Sequence, residues 1–374
     1  MGWLWQVLGA GLVLIALADI YFTVLYPRSH AGVLNASISR AVWQLFRLAS
    51  NSKPLSRAPL LSYIGPTLLV AIVVVWVSLL INGFALIAWP ALGSEIQASQ
   101  GETPRDFATA IYYSGYALTT LGTGDIVPKT GFYRLLMILE TAIGLSSLTL
   151  TLTYFQSVYS ALIRRNTFAL RLQHRTLGTA DAAELLARLG AKEDFSAARA
   201  DIADMAKDLL NLLESDHTYP ILHYFRFQEA YYALPRMLLI AMDTVSLIKS
   251  ALDSEKYGSL VGSAAVAELW GGGQQLLVEL SESFLPKKYR ASQDQPEQAW
   301  RERYYTAVQR LEARGIATAP DLEEGVALYI SLRRRWGPYV VRLAEYMAYD
   351  WGEVAPTERY WRKERLPRSK KKKG

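Results

Sequence analysis

Uncharged apolar runs crowd the stretch that ends at Arg164-Arg165, and charged residues dominate after it. Residues 3–26 carry one charge, Asp19. Crossing a bilayer takes roughly 20 apolar residues, so a first transmembrane helix is expected within 1–26. Trp3, Trp5, Tyr21 and Tyr26 suit the interfacial belts at its two ends. No Lys or Arg precedes the run, so it does not read as a cleaved signal peptide. The 37 residues between Arg57 and Glu95 are all uncharged and predict a second span, from about Pro66 to Trp89. A third is expected from Phe132 to Leu162, bracketed by Arg134 and Arg164-Arg165. Between these two, Pro104 to Leu118 is too short to span and fits a re-entrant helix.

Charge sets the expected topology. Arg28, Arg40, Arg47, Lys53 and Arg57 occupy residues 27–60 without one Asp or Glu, which marks that loop as cytoplasmic. The N-terminus is then outside, and the arginine pair at 164–165 returns the chain to the inner side. The protein is thus read as a multi-pass protein of the cell (inner) membrane. Within the basic loop, residues 39–50 show apolar and basic faces at helical spacing, as in a helix lying on the membrane surface.

After residue 164 the apolar positions recur at three and four, and strand-like alternation is scarce. Helices are expected at about 181–190, 194–214, 219–233, 235–253, 257–270, 274–284, 296–314, 320–335 and 338–350. Gly271-Gly272-Gly273 and the polar 290–297 stretch are the expected breaks. The fold class is therefore all-α: three transmembrane helices with a re-entrant helix and loop, then a helical cytoplasmic domain over 164–356. The tail 357–374 carries nine Lys or Arg against two acids and ends in four lysines. It reads as disordered, either solvated or drawn to anionic lipid.

Composition narrows the chemistry. The chain has no cysteine, which excludes disulfides, thiolate catalysis and cysteine-type zinc sites. Its four histidines are scattered, and no Ser/His/Asp arrangement or paired-carboxylate motif stands out. The reading is a non-enzyme without cofactors. The net charge of +6 comes from loops and tail and gives no sign of nucleic-acid binding. No span carries Arg or Lys at every third position, so a voltage sensor is not expected.

The short stretch Thr119-Thr120-Leu121-Gly122-Thr123-Gly124-Asp125 follows the re-entrant helix. Non-helical backbone at membrane depth is tolerated only where protein buries it or water lines it. Two glycines one residue apart permit backbone angles closed to other residues, so successive carbonyls can turn the same way and replace an ion's hydration shell. The partial negative charge at the C-terminal end of the preceding helix would favour a cation there.

Helix, re-entrant helix, Thr-x-Gly-x-Gly-Asp and inner helix together resemble the pore module of the potassium-channel superfamily. The resemblance covers residues 61–163. The family's usual core reads T-V-G-Y-G-D, here T-L-G-T-G-D; Ile126-Val127-Pro128 follows it and Arg134 opens the inner helix. It implies that Thr120, Leu121, Gly122, Thr123 and Gly124 form a filter coordinating K⁺ as permeant ion, the only metal expected. Thr119 and Asp125 would support it, with Tyr112 at the aromatic position that bonds Asp125. One pore module supplies a quarter of a filter, so the resemblance implies a homotetramer in the bilayer. Thr123 departs from the family's Tyr or Phe, whose ring packs into a cuff around the filter. That puts selectivity in question and leaves two alternatives: a weakly selective cation channel, and a non-conducting signalling or scaffold protein.

On the inner helix, Leu145, Leu148, Leu152 and Gln156 occupy the positions expected to line cavity and gate. Ser146, Thr149, Thr153 and Ser157 form a second stripe suited to close helix packing. Gly144 matches the family's hinge glycine, and reads equally as a point of close approach. Asp19 and Glu140 are intramembrane acids, each either functional or held by a structural partner. The aromatic run Tyr219–Phe227 reads as core packing or as a docking segment.

Overall fold

The computed structural model of the protein describes residues 2–26, 33–51, 57–190, 195–285 and 297–356. The expectations for the tail 357–374 and for Arg28 and Lys53 lie outside the described residues. The fold is all-α apart from one short two-stranded sheet. The described residues divide into two compact units, 1–160 with 217–225, and 161–216 with 226–374.

The first unit begins with α1 (Gly2–Ile20), which continues into a π-turn at Tyr21–Leu25. Then come α2 (Val33–Asn51), α3 (Arg57–Ser62), α4 (Ile64–Ala88), α5 (Phe107–Leu118) and the start of α6 (Gly131–Arg175). Among the described residues, three stretches are long and apolar enough to cross a membrane: Gly2–Leu25, Ile64–Ala91 and the helix Gly131–Arg175. The last was expected to stop near Leu162. It runs on through Arg164-Arg165 because apolar positions such as Phe168, Ala169 and Leu172 keep one face buried.

Small residues let α1 and α4 meet closely. A β-carbon at Gly9 would come within 2.3 Å of the Gly83 carbonyl oxygen, and one at Gly83 within 2.8 Å of Val13. Asp19 is buried and has structural partners: the Trp76 indole N–H donates to it at 2.8 Å and the Leu34 amide at 3.1 Å. One carboxylate thus pins the end of α1 to α4 and caps the first turn of α2.

A second knot lies at the far end of this unit. Pro220–Tyr224 is a 3-10 turn, and with Tyr219 and Phe225 it packs edge-on against three helices. Tyr219 meets Tyr154 of α6 at 6.1 Å between ring centroids, Phe225 meets Tyr159 at 6.1 Å, and Tyr224 meets Trp43 of α2 at 5.8 Å. Gly65 of α4 leaves room for the Phe225 ring.

In the second unit α7 (Ala182–Leu189), α8 (Ala198–Thr218), α9 (Leu234–Ala251), α10 (Ser254–Val261), α11 (Ala264–Ser283), α12 (Glu297–Glu312), α13 (Leu322–Tyr346) and α14 (Trp351–Val354) follow the last part of α6. Every residue of α9 except Lys249 is buried, so it forms the core helix. Its Thr244, Ser246 and Ser250 hydroxyls donate to carbonyls one turn back, which makes them tolerable there.

Three further sequence expectations need correction. The helix expected at 219–233 is two 3-10 turns, Pro220–Tyr224 and Ala230–Tyr232, because the aromatic spacing there serves tertiary contacts rather than one helical face. The glycine triplet 271–273 does not break a helix; α11 runs through it. Gly272 and Gly273 instead admit Leu210 and Met242, whose side chains would collide with added β-carbons at 2.9 and 2.2 Å. The helices expected at 320–335 and 338–350 are one, α13, which continues through Pro338. Its buried face from Val326 to Leu343 outweighs the lost backbone donor.

Candidate functional site

The site is the loop at the C-terminal end of α5. Asp106 caps that helix by accepting the Thr109 amide at 2.9 Å and the Thr109 hydroxyl at 3.0 Å. These bonds hold its carboxyl below the usual carboxylate range, led by the Thr109 amide. The other end is fixed by α6: the Thr141 hydroxyl donates to the Ala117 carbonyl at 3.0 Å. Tyr113 and Tyr116 anchor α5 in a core with Ala85, Ala88, Ile96, Ile126 and Tyr133. The Tyr116 hydroxyl donates to the Ile126 carbonyl, closing the loop over the helix.

The backbone then alternates. Thr120 (φ 63°), Gly122 (φ 58°) and Gly124 (φ 73°) are left-handed, while Leu121 and Thr123 between them are not. Alternation of hand turns successive peptide planes so that their carbonyls share a side. The carbonyls of Thr120, Leu121, Gly122 and Thr123 accept no hydrogen bond among the described residues, and all of 119–125 is exposed in the single chain. The amides point the other way: Thr120 donates to Ala117 at 3.2 Å, and Leu121 and Gly122 donate to Tyr116 at 2.9 and 3.4 Å. The Gly124 carbonyl differs from the other four, because it accepts the Ser99 hydroxyl.

Behind the loop lies a polar triangle. The Tyr112 hydroxyl donates to Asp125 at 3.0 Å, and the Thr123 hydroxyl donates to the other carboxylate oxygen at 2.6 Å. Tyr112 and Thr123 are 3.3 Å apart, and the Ile126 amide adds a bond to Asp125 at 3.1 Å. The Thr123 hydroxyl, then Tyr112, hold the Asp125 carboxyl below the usual range. Thr119 bonds back to the Gly115 carbonyl at 2.7 Å. Sequence reasoning put Tyr112 at the position facing Asp125 and left either space or a changed hydrogen bond at Thr123; in the structure the Thr123 hydroxyl joins the same network.

On α6, Leu145, Leu148, Leu152 and Gln156 share an exposed stripe in the single chain. The Thr149 and Thr153 hydroxyls donate to carbonyls one turn back, and both residues are exposed in the single chain. Gly144 is a point of close approach, in the middle of an unbroken helix. Glu140 is buried beside Ser114 of α5. Neither Glu140 Oε1 nor the Ser114 hydroxyl closes a hydrogen bond of good geometry among the described residues. Sequence reasoning had no signal for Ser99 or Ser114, lone serines outside any motif.

A family profile described as an ion channel matches residues 68–161. A Bacillus subtilis (strain 168) protein described as the uncharacterized membrane protein YdjJ is 31% identical over 257 residues, covering 67% of this chain and 69% of its relative. No solved structure matches.

Proposed function

Since the chain belongs to the ion-channel family, we propose that it is a potassium channel of the cell membrane that conducts passively as a homotetramer. Four copies of Thr120–Thr123 would ring a central axis with their carbonyls, and dehydrated K⁺ would pass between successive rings. The observation that carries this reading is the alternation of hand at Thr120, Gly122 and Gly124, with the four carbonyls of Thr120–Thr123 unspent and the amides of Thr120, Leu121 and Gly122 tied back to α5. Leu145, Leu148, Leu152 and Gln156 would line the cavity and gate below. The stripe at Thr149 and Thr153 would face a neighbouring subunit. No catalytic role is assigned to any residue.

Purified protein reconstituted in liposomes tests this. K⁺ flux is expected, with Gly122→Asp abolishing it and cross-linking giving four subunits. Flux indifferent to Gly122→Asp would rule the reading out.

A weakly selective cation channel is the second reading. It is favoured by Thr123, whose hydroxyl bonds within its own chain where the family has an aromatic ring. Bi-ionic reversal potentials decide, since a potassium-to-sodium permeability ratio near unity supports this second reading.

A further inference from the structure

We propose that Ser99 is a positioning residue that clamps the outer end of the filter and sets its discrimination between potassium and sodium. This rests on the channel reading above and names a residue outside the filter motif for that function.

The inner and outer halves of the loop are held differently. Thr120, Leu121 and Gly122 are tied through their amides to the carbonyls of Ala117 and Tyr116 on α5. At the outer end the triangle of Tyr112, Thr123 and Asp125 links side chains and one amide, that of Ile126. Among the described residues, the outer backbone carbonyls are reached by Ser99 alone. Its hydroxyl donates to the Gly124 carbonyl and its amide donates to the Asp125 carbonyl at 2.7 Å.

Ser99 is well placed to hold them because it extends a ladder. β1 (Ile96–Ala98) pairs antiparallel with β2 (Ile126–Pro128), with Ala98 opposite Ile126. The same register sets Ser99 opposite Asp125, so the sheet runs into the last filter residues. The ladder is anchored at its far end by Lys129 donating to Glu95 at 2.8 Å, Gly93 donating to Ile96 at 2.8 Å, and the Thr130 hydroxyl reaching the Glu95 carboxylate at 3.2 Å. Thr103 accepts the Ala98 amide at 2.9 Å, and Gly101 turns the chain between them with φ 74°. A left-handed, glycine-containing backbone is intrinsically loose. Discrimination between two ions of equal charge needs carbonyls whose spacing does not relax around the smaller one. Thr123 offers a small side chain for that purpose, and the ladder ending in Ser99 supplies the backbone restraint.

The test compares Ser99→Thr with Ser99→Val, which have equal volume and differ by the hydroxyl, in the full-length protein. Ser94→Ala, which removes a hydroxyl bonded to Ala91 in the same outer loop, is the control. Two readouts are taken: the potassium-to-sodium permeability ratio in liposomes, and the difference in unfolding midpoint between KCl and NaCl. Ser99→Val is expected to lower the permeability ratio about fivefold, the factor of one neutral hydrogen bond, and to shrink the midpoint difference. Ser99→Thr and Ser94→Ala should match the parent in both readouts. Equal ratios and equal midpoint differences in Ser99→Thr and Ser99→Val would overturn the clamp while leaving the channel reading intact. A parent protein with neither flux nor a potassium-dependent midpoint overturns the channel reading, and the clamp with it.

Discussion

Gly144 of α6 lies against the carbonyl of Leu118, the last residue of α5. A β-carbon at 144 would stand 2.0 Å from that oxygen and 2.9 Å from its carbon. Helix α6 therefore touches the helix that carries the glycine loop through a position only glycine can fill, three residues after Thr141 bonds the neighbouring Ala117 carbonyl. Whatever moves α6 here moves the root of the loop.

Gly144→Ala must displace backbone, because the colliding atom is a carbonyl and not the end of a flexible side chain. Overpacking of this kind costs about 1–3 kcal/mol. The purified protein should show a lowered unfolding midpoint and reduced ion flux. Ala142→Gly, at an exposed position of the same helix turn, should cost only about 1 kcal/mol of helix propensity and leave the flux in place.

Asp19 gives a second expectation. Its carboxylate accepts from Trp76 and Leu34 in a buried setting. Removing it leaves two donors without a partner, each costing about 1–3 kcal/mol. Asp19→Ala should therefore lower the midpoint more than Asp19→Asn, which keeps one acceptor oxygen. Equal effects of the two would mean that the carboxylate does not hold α1, α2 and α4 together.

In the helical unit, Asp243 accepts from Arg303 at 2.8 Å, Arg333 at 2.9 Å and the Tyr329 hydroxyl at 2.5 Å, all buried. Burial alone would raise its pKa, but Arg303, Arg333 and Tyr329 outweigh burial and hold it below the usual carboxylate value. A depressed folded pKa gives stability that is present above the unfolded value of about 3.9 and lost as pH falls through the folded one. The unit should thus shed this contribution only below about pH 4. Asp243→Asn should cost about 3–5 kcal/mol at neutral pH by removing the buried charge that Arg303 and Arg333 share, although Arg303 keeps Asp181 at 2.7 Å, and should flatten the acid limb of the stability curve.

The membrane half was legible because its signals are local. Uncharged runs, the Gly-x-Gly spacing and Asp106 before a short apolar segment each report on neighbours in sequence. Ser99 was not legible, since its role exists only once β1 pairs with β2 and its register points it at Gly124. The same holds for the glycine triplet at 271–273. Read locally, glycine means a break; in the fold it means that Leu210 and Met242 approach closely. Nor does Tyr219–Phe225 announce which helices its rings will meet. Residues whose reason lies across the fold carry no periodicity to read.

That aromatic segment gives the last prediction. An added β-carbon at Gly65 would stand 2.6 Å from the Phe225 ring, and Phe225 is itself packed against Tyr159 of α6. Gly65→Ala should destabilise the first unit by about 1–3 kcal/mol through overpacking. Phe225→Leu should cost a similar amount by losing ring contacts. Together they relieve each other, because the smaller leucine vacates the volume the new methyl needs. The double variant should be more stable than the sum of the single effects predicts, by the roughly 0.5–3 kcal/mol seen between residues in contact. Strict additivity in thermal unfolding would show that Gly65 and Phe225 do not touch, and that the segment does not brace α4 and α6.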